Sequence, residues 1–83
     1  MYTATIVVID RGRNVFIVQV DDYAEIVTFR KLDVIELKLG DQIKGPLNEP
    51  GRMRLTHLPT AREFDAFAES GWANRTFAHQ HGQ

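Results

Sequence analysis

The sequence predicts a mainly β fold: a small antiparallel barrel of five to six strands, followed by a short C-terminal helix. Short segments rich in Val, Ile, Thr and Phe recur along the chain, each bounded by Gly, Pro, Asn or Asp. The first three are joined by connections too short for a crossover, so they form an antiparallel meander. Several such strands in one small domain favour closure, which removes exposed strand edges. The expected organisation is one barrel-plus-helix domain over residues 1–72 and a loose polar tail over residues 73–83.

Tyr2 to Asp10 is the first strand, and its Ile6-Val7-Val8-Ile9 run is apolar on both faces. A strand of that kind is expected to lie centrally or to be covered on its second side. Asp10-Arg11-Gly12-Arg13-Asn14 is a tight turn, with Gly12 and Asn14 able to take positive φ. Val15 to Val20 is the second strand, Asp21-Asp22 the next turn, and Tyr23 to Lys31 the third strand. Ile35 to Leu39 alternates apolar and polar and is expected to be extended. Gly40-Asp41 then reads as a two-residue hairpin turn with glycine at its first central position. Gln42 to Gly45 is a short strand with Ile43 inward, stopped by Pro46.

Asn48-Glu49-Pro50-Gly51 is a strong turn signal. Arg52 to Leu58 follows, with Met53 and Leu55 inward and Arg52, Arg54 and Thr56 outward. From Thr60 two patterns compete. Thr60 and Glu63 have capping-box spacing, and Phe64, Phe67 and Ala68 fall at i, i+3 and i+4, which predicts an amphipathic helix over 61–70 ending at Gly71. The same residues in a strand would put Phe64, Ala66 and Ala68 on one side. The helix is the expectation.

Composition narrows function more by exclusion than by indication. Hydrophobic content of 43% and charged content of 25% are ordinary for a globular domain. The chain has no cysteine, so disulfides, thiolate metal sites and thiol catalysis are excluded. With no basic, apolar N-terminal leader and no long apolar run, a cytoplasmic protein with no membrane span is expected. Ten basic against eleven acidic residues leave a formal charge of −1, with neither half polarised, whereas a dedicated nucleic-acid binder usually carries a basic excess.

The stretch Leu37-Lys38-Leu39-Gly40-Asp41-Gln42-Ile43-Lys44-Gly45-Pro46-Leu47 resembles the fourth-strand region of OB-like and SH3-like barrels. Asn14-Val15-Phe16-Ile17-Val18 is similar to a strand of cold-shock-type OB domains. The whole chain is similar to a group of short uncharacterised bacterial proteins that begin Met-Tyr-Thr-Ala-Thr. The resemblance covers about residues 2 to 58. It implies an OB-like barrel whose function is recognition, with single-stranded nucleic acid as the ligand class that fold analogy alone suggests.

Two sets of residues follow as candidate contacts. For nucleic acid they are Arg52, Arg54, Arg11, Arg13 and Phe16, the arginines for phosphate and the ring for stacking. For a protein partner or a homo-oligomer they are Phe64, Phe67 and Trp72, or an unpaired strand edge. The ordinary alternatives are a solvated strand face for the arginines and barrel core for the rings. Enzymatic residues are scarce: Ser70 is the only serine, no phosphate-cradling glycine loop exists, and Asp21-Asp22 reads as a turn. His79 and His81, with His57, are too few and too loosely placed for zinc, so neither metal nor cofactor is expected.

Overall fold

The structure, a computed structural model describing residues 1–71, contains six strands. They are β1 (Tyr2–Asp10), β2 (Val15–Val20), β3 (Ile26–Lys31), β4 (Gln42–Gly45), β5 (Gly51–His57) and β6 (Arg62–Ser70). They close into a barrel in the order β1-β2-β3-β6-β5-β4, and every neighbouring pair is antiparallel. Two three-stranded meanders, β1-β2-β3 and β4-β5-β6, are joined by the connector 32–41. That connector carries the chain back to lie beside β1, in the Greek-key order 4-1-2-3. The architecture is the small antiparallel barrel that the sequence predicts, consistent with an OB-like barrel. Among the described residues no helix is long and apolar enough to cross a membrane.

Alternation fills the interior. Ala4, Ile6, Phe16, Val18, Val20, Val27, Phe29, Ile43, Met53, Leu55, Phe64, Ala66 and Ala68 point inward from the strands. Phe16 stacks on Phe29 with ring centres 5.4 Å apart and lies 6.1 Å from Phe64. Gly45 also faces inward, and a Cβ at that position would run into the Leu55 side chain. A larger residue there requires the buried Leu55 side chain to shift.

The main correction concerns residues 61–70. They form β6 and its entry turn rather than a helix, and no helix occurs among the described residues. The capping-box groups are engaged elsewhere. Thr60 Oγ1 lies 2.8 Å from His57 Nδ1, and Glu63 accepts from Arg54 Nε at 3.0 Å. Ala61 takes φ +58°, outside the helical region. β6 pairs with β5 from Gly51↔Ala68 to His57↔Arg62 and with β3 from Thr28↔Ser70 to Lys31↔Ala66. A helix here would leave two long edges unpaired, so ladder closure overrides the local i, i+3, i+4 pattern.

Smaller differences follow similar logic. β3 begins at Ile26, because residues 21–24 are spent on a turn in which Asp22 takes φ +66° and Tyr23 N–H donates to Val20 O. In the first turn Asn14, at φ +56°, takes the positive-φ position. The turn expected at Gly40-Asp41 lies one residue earlier. Asp41 N–H donates to Lys38 O, which puts Gly40 (φ +88°) second of the two central residues, the position at which a type II turn needs glycine.

The connector forms no strand, yet its Ile35 and Leu37 are buried in the core. Its ends are held by backbone bonds, Leu32 N–H to Asp65 O and Gly40 N–H to Ile6 O, and the carbonyls of its middle by side chains. Lys31 Nζ donates to Ile35 O at 2.8 Å, Arg62 Nη2 to Val34 O at 2.8 Å, and Arg11 Nη2 to Leu37 O at 3.5 Å. Asp33 accepts from Asp65 N–H at 2.7 Å. A non-ladder segment must find partners for its polar backbone, and here long basic side chains supply them.

Candidate functional site

The outer surface of the barrel has two unlike sides. On β5 and β6 the outward side chains form a ladder of opposite charges. Arg52 Nη2 donates to Asp65 Oδ2 at 2.7 Å, while Arg54 donates to Glu63 Oε1 and Asp65 Oδ1, both at 3.0 Å. The register explains it, since Arg54 sits directly opposite Asp65 and next to the Arg52 row. The Arg52 and Arg54 guanidinium groups hold the Asp65 carboxyl below the usual carboxylate range, and the acids raise both arginines in turn.

The candidate phosphate contacts are therefore not a common basic surface. Arg52 and Arg54 are neutralised on β5. Arg11 sits in the β1–β2 turn, bridging to Glu36 at 3.0 Å and holding the connector, and Arg13 lies 3.8 Å from Asp10. Phe16, expected as a stacking ring, is buried in the core and presents no face to a base. Phe64, expected on an interaction surface, is likewise fully buried. Phe67 is the exception: it points outward from β6, 37% exposed, with the Arg30 guanidinium 5.6 Å from its ring centre. Trp72, the tail 73–83 and its histidines lie outside the described residues.

The opposite side, formed by β1, β2 and β3, exposes apolar side chains among threonines and a glutamine. A β-bulge at Val7 shifts the β1 register between Ile6↔Val18 and Val8↔Ile17, so Val7 and Val8 both reach solvent. They are 43% and 46% exposed, and Ile26 on β3 is 56% exposed. Val8, Ile17 and Thr28 form one cross-strand row, and Thr5, Gln19 and Ile26 form the next. Of the two expectations for β1, it lies between β2 and β4 as the first has it, while its second face is open rather than covered. The signal for it was the doubly apolar run Ile6-Val7-Val8-Ile9, and the structure changes its meaning from internal burial to an apolar outer surface. The face leads into an open groove lined by Thr5, Val7, Gln19, Asp21, Tyr23 and Gln42 among others. Asp21 accepts there from Thr5 Oγ1 at 3.1 Å and Gln42 Nε2 at 2.8 Å.

His57 is the one buried polar side chain among the described residues. Its Nε2 lies 2.7 Å from Asp41 Oδ2 and its Nδ1 2.8 Å from Thr60 Oγ1. The row resembles a relay of hydroxyl, imidazole and carboxylate. The amides beside the hydroxyl are turned back into the turn, Thr60 N–H donating to His57 O and Ala61 N–H to Leu58 O. No oxyanion site is thereby formed at Thr60. The bonds tie the connector's end to the β5–β6 turn.

Comparison with known protein families, curated proteins and solved structures finds no match to this chain.

Proposed function

We propose that the protein is a non-enzymatic β-barrel binding module that engages a protein surface through the outer face of β1, β2 and β3. The observation that carries this reading is the contrast between the two outer sides. Val7, Val8 and Ile26 stand exposed beside Ile17, whereas the β5–β6 side is closed off by ion pairs. Apolar side chains gathered on one face of a small domain mark a contact surface, because burying them against a partner is the favourable outcome. The edge-pairing route has no support in this barrel, since all six strands are paired on both sides. The test is in-cell cross-linking with mass spectrometry, comparing the unaltered chain, Val8→Lys/Ile26→Lys and a Phe67→Ser control. Cross-links to protein that vanish only in the first variant support the reading; cross-links that survive it overturn the assignment.

A second reading, an OB-like module for single-stranded nucleic acid, draws on Phe67. It lies beside Arg30 and opposite Arg52, the aromatic–basic pairing that stacks bases. Against it, Arg30 pairs with Glu69 at 3.4 Å and Arg52 with Asp65, so a phosphate must displace two acids. Titration with random single-stranded DNA and RNA at about 50 and 200 mM salt decides it. Salt-sensitive shifts centred on Phe67 favour this reading, and none at high micromolar ligand removes it.

A further inference from the structure

We infer that the partner on the β1–β2–β3 face is a second copy of this chain, docked with its strands antiparallel to the first across a two-fold axis. The inference rests on the reading of that face as a protein-contact surface and adds the identity and orientation of the partner.

The argument comes from how charge is distributed along the face. The outward residues of β2 run Val15, Ile17, Gln19, and continue into Asp21. At the Asp21 end the turn adds Asp22, and no described cation lies within 4 Å of either carboxylate. At the other end the row Asp10–Val15–Arg30 is followed by the turn carrying Arg11 and Arg13. Arg11 is committed to Glu36 and Arg30 to Glu69, whereas the Arg13 guanidinium reaches Asp10 only at 3.8 Å and its side chain is 84% exposed. The face carries an apolar stripe with an acidic end that no described cation offsets, and an opposite end whose arginines all have a carboxylate within 4 Å, the Arg13 guanidinium being the most exposed and most loosely held of them.

A face of this kind is complementary to itself in one orientation. A two-fold axis lying between the faces and perpendicular to the strands reverses strand direction. It brings Asp21 and Asp22 of each copy toward Arg13 of the other, while Val7, Val8, Ile17 and Ile26 meet in the middle. An axis parallel to the strands would set carboxylates over carboxylates, which electrostatic repulsion disfavours. Because the contact is isologous it closes at two copies, with no open chain of subunits. Three strands about 4.8 Å apart and about 20 Å long make a small face. It falls short of the roughly 800 Å² per partner of a standard interface, so the dimer is weak and exchanges readily.

Sedimentation of the purified full chain from about 10 µM to 1 mM tests this, a range chosen for a weak, transient contact. The expected result is a weight-average mass that climbs toward two copies. Val8→Lys should abolish the climb, whereas Leu39→Lys, an exposed apolar position on the connector, should leave it intact. Asp22→Arg and Arg13→Asp should each weaken association by roughly 3- to 10-fold, and the double variant Asp22→Arg/Arg13→Asp should restore it, because the swap reinstates both pairs. A monomer at 1 mM overturns the second-copy assignment and leaves the cross-linking test of the face to stand or fall separately. Association with no rescue in the double variant overturns the antiparallel arrangement. Circular dichroism of each variant confirms that it is folded.

Discussion

His57 and Asp41 meet 2.7 Å apart where the connector enters β4 and β5 leaves the barrel. The His57 bond is the main reason the Asp41 carboxyl is held below its usual range, outweighing partial burial, and the Lys38 amide adds to it. An ionised carboxylate only accepts, so Nε2 carries a proton, and in the neutral ring Nδ1 accepts from the Thr60 hydroxyl. Buried polar atoms with every bond satisfied are stabilising; with one partner removed they become a liability.

Asp41→Asn should therefore cost about 1–3 kcal/mol at pH 7. The sign of the pH dependence follows from a folded-state pKa below the unfolded one. The contribution is fully present above the unfolded carboxylate value of about 4, and it is lost as pH falls through the folded value. Urea denaturation of both proteins at pH 7 and pH 3 should show the gap narrowing in acid. A gap that stays constant would mean that Asp41 acts through shape and not through charge.

Gly45 and Leu55 should be coupled across the β4–β5 contact. Gly45→Ala forces a methyl group into Leu55 and should cost about 1–3 kcal/mol. Leu55→Ala empties a fully buried site and should cost about 2–5 kcal/mol. In the double variant the new methyl group occupies part of the vacated space, so the combined loss should fall short of the sum. Strict additivity in chemical denaturation would disprove the contact.

The two phenylalanines of β6 give the sharpest check on strand against helix. Phe64 is buried against Phe16, and Phe64→Ala should cost about 3–5 kcal/mol. Phe67 lies outside under Arg30, so Phe67→Ala should cost less than about 1 kcal/mol. An amphipathic helix would bury both rings and make the losses similar. Thermal unfolding of the pair separates the cases.

The basic residues should divide by what they hold. Arg54→Ala removes only exposed cross-strand pairs, and its effect should be within about 1 kcal/mol and shrink in high salt. Arg62→Ala releases the Val34 carbonyl of the connector. Hydrogen exchange should then speed up at residues 33–37, with β1–β3 unchanged.

The barrel was legible in the chain because strand alternation and turn chemistry are local. Val15–Val20, Gln42–Gly45 and the inward pair Met53 and Leu55 need only a period of two and a nearby Gly, Pro or Asn to be recognised. The segment 62–70 was ambiguous for the same reason. Phe64, Phe67 and Ala68 satisfy a helical period, and Phe64, Ala66 and Ala68 a strand period; the residues that decide between them are in β3 and β5, far away in sequence.

The candidate surfaces were still less legible. No rule of spacing shows that Arg52 and Arg54 reach Asp65 and Glu63 across the β5–β6 pair, that Phe16 lies against Phe29 and Phe64, or that a bulge at Val7 turns two consecutive valines outward. By itself the sequence determined that these residues are mainly β and antiparallel, with no cysteine and no basic excess, because those properties follow from composition and period. The tertiary structure alone decided which arginines are neutralised, which rings are core and which face stays apolar. Each depends on cross-strand register, which is settled when the barrel closes and every backbone group must find its partner.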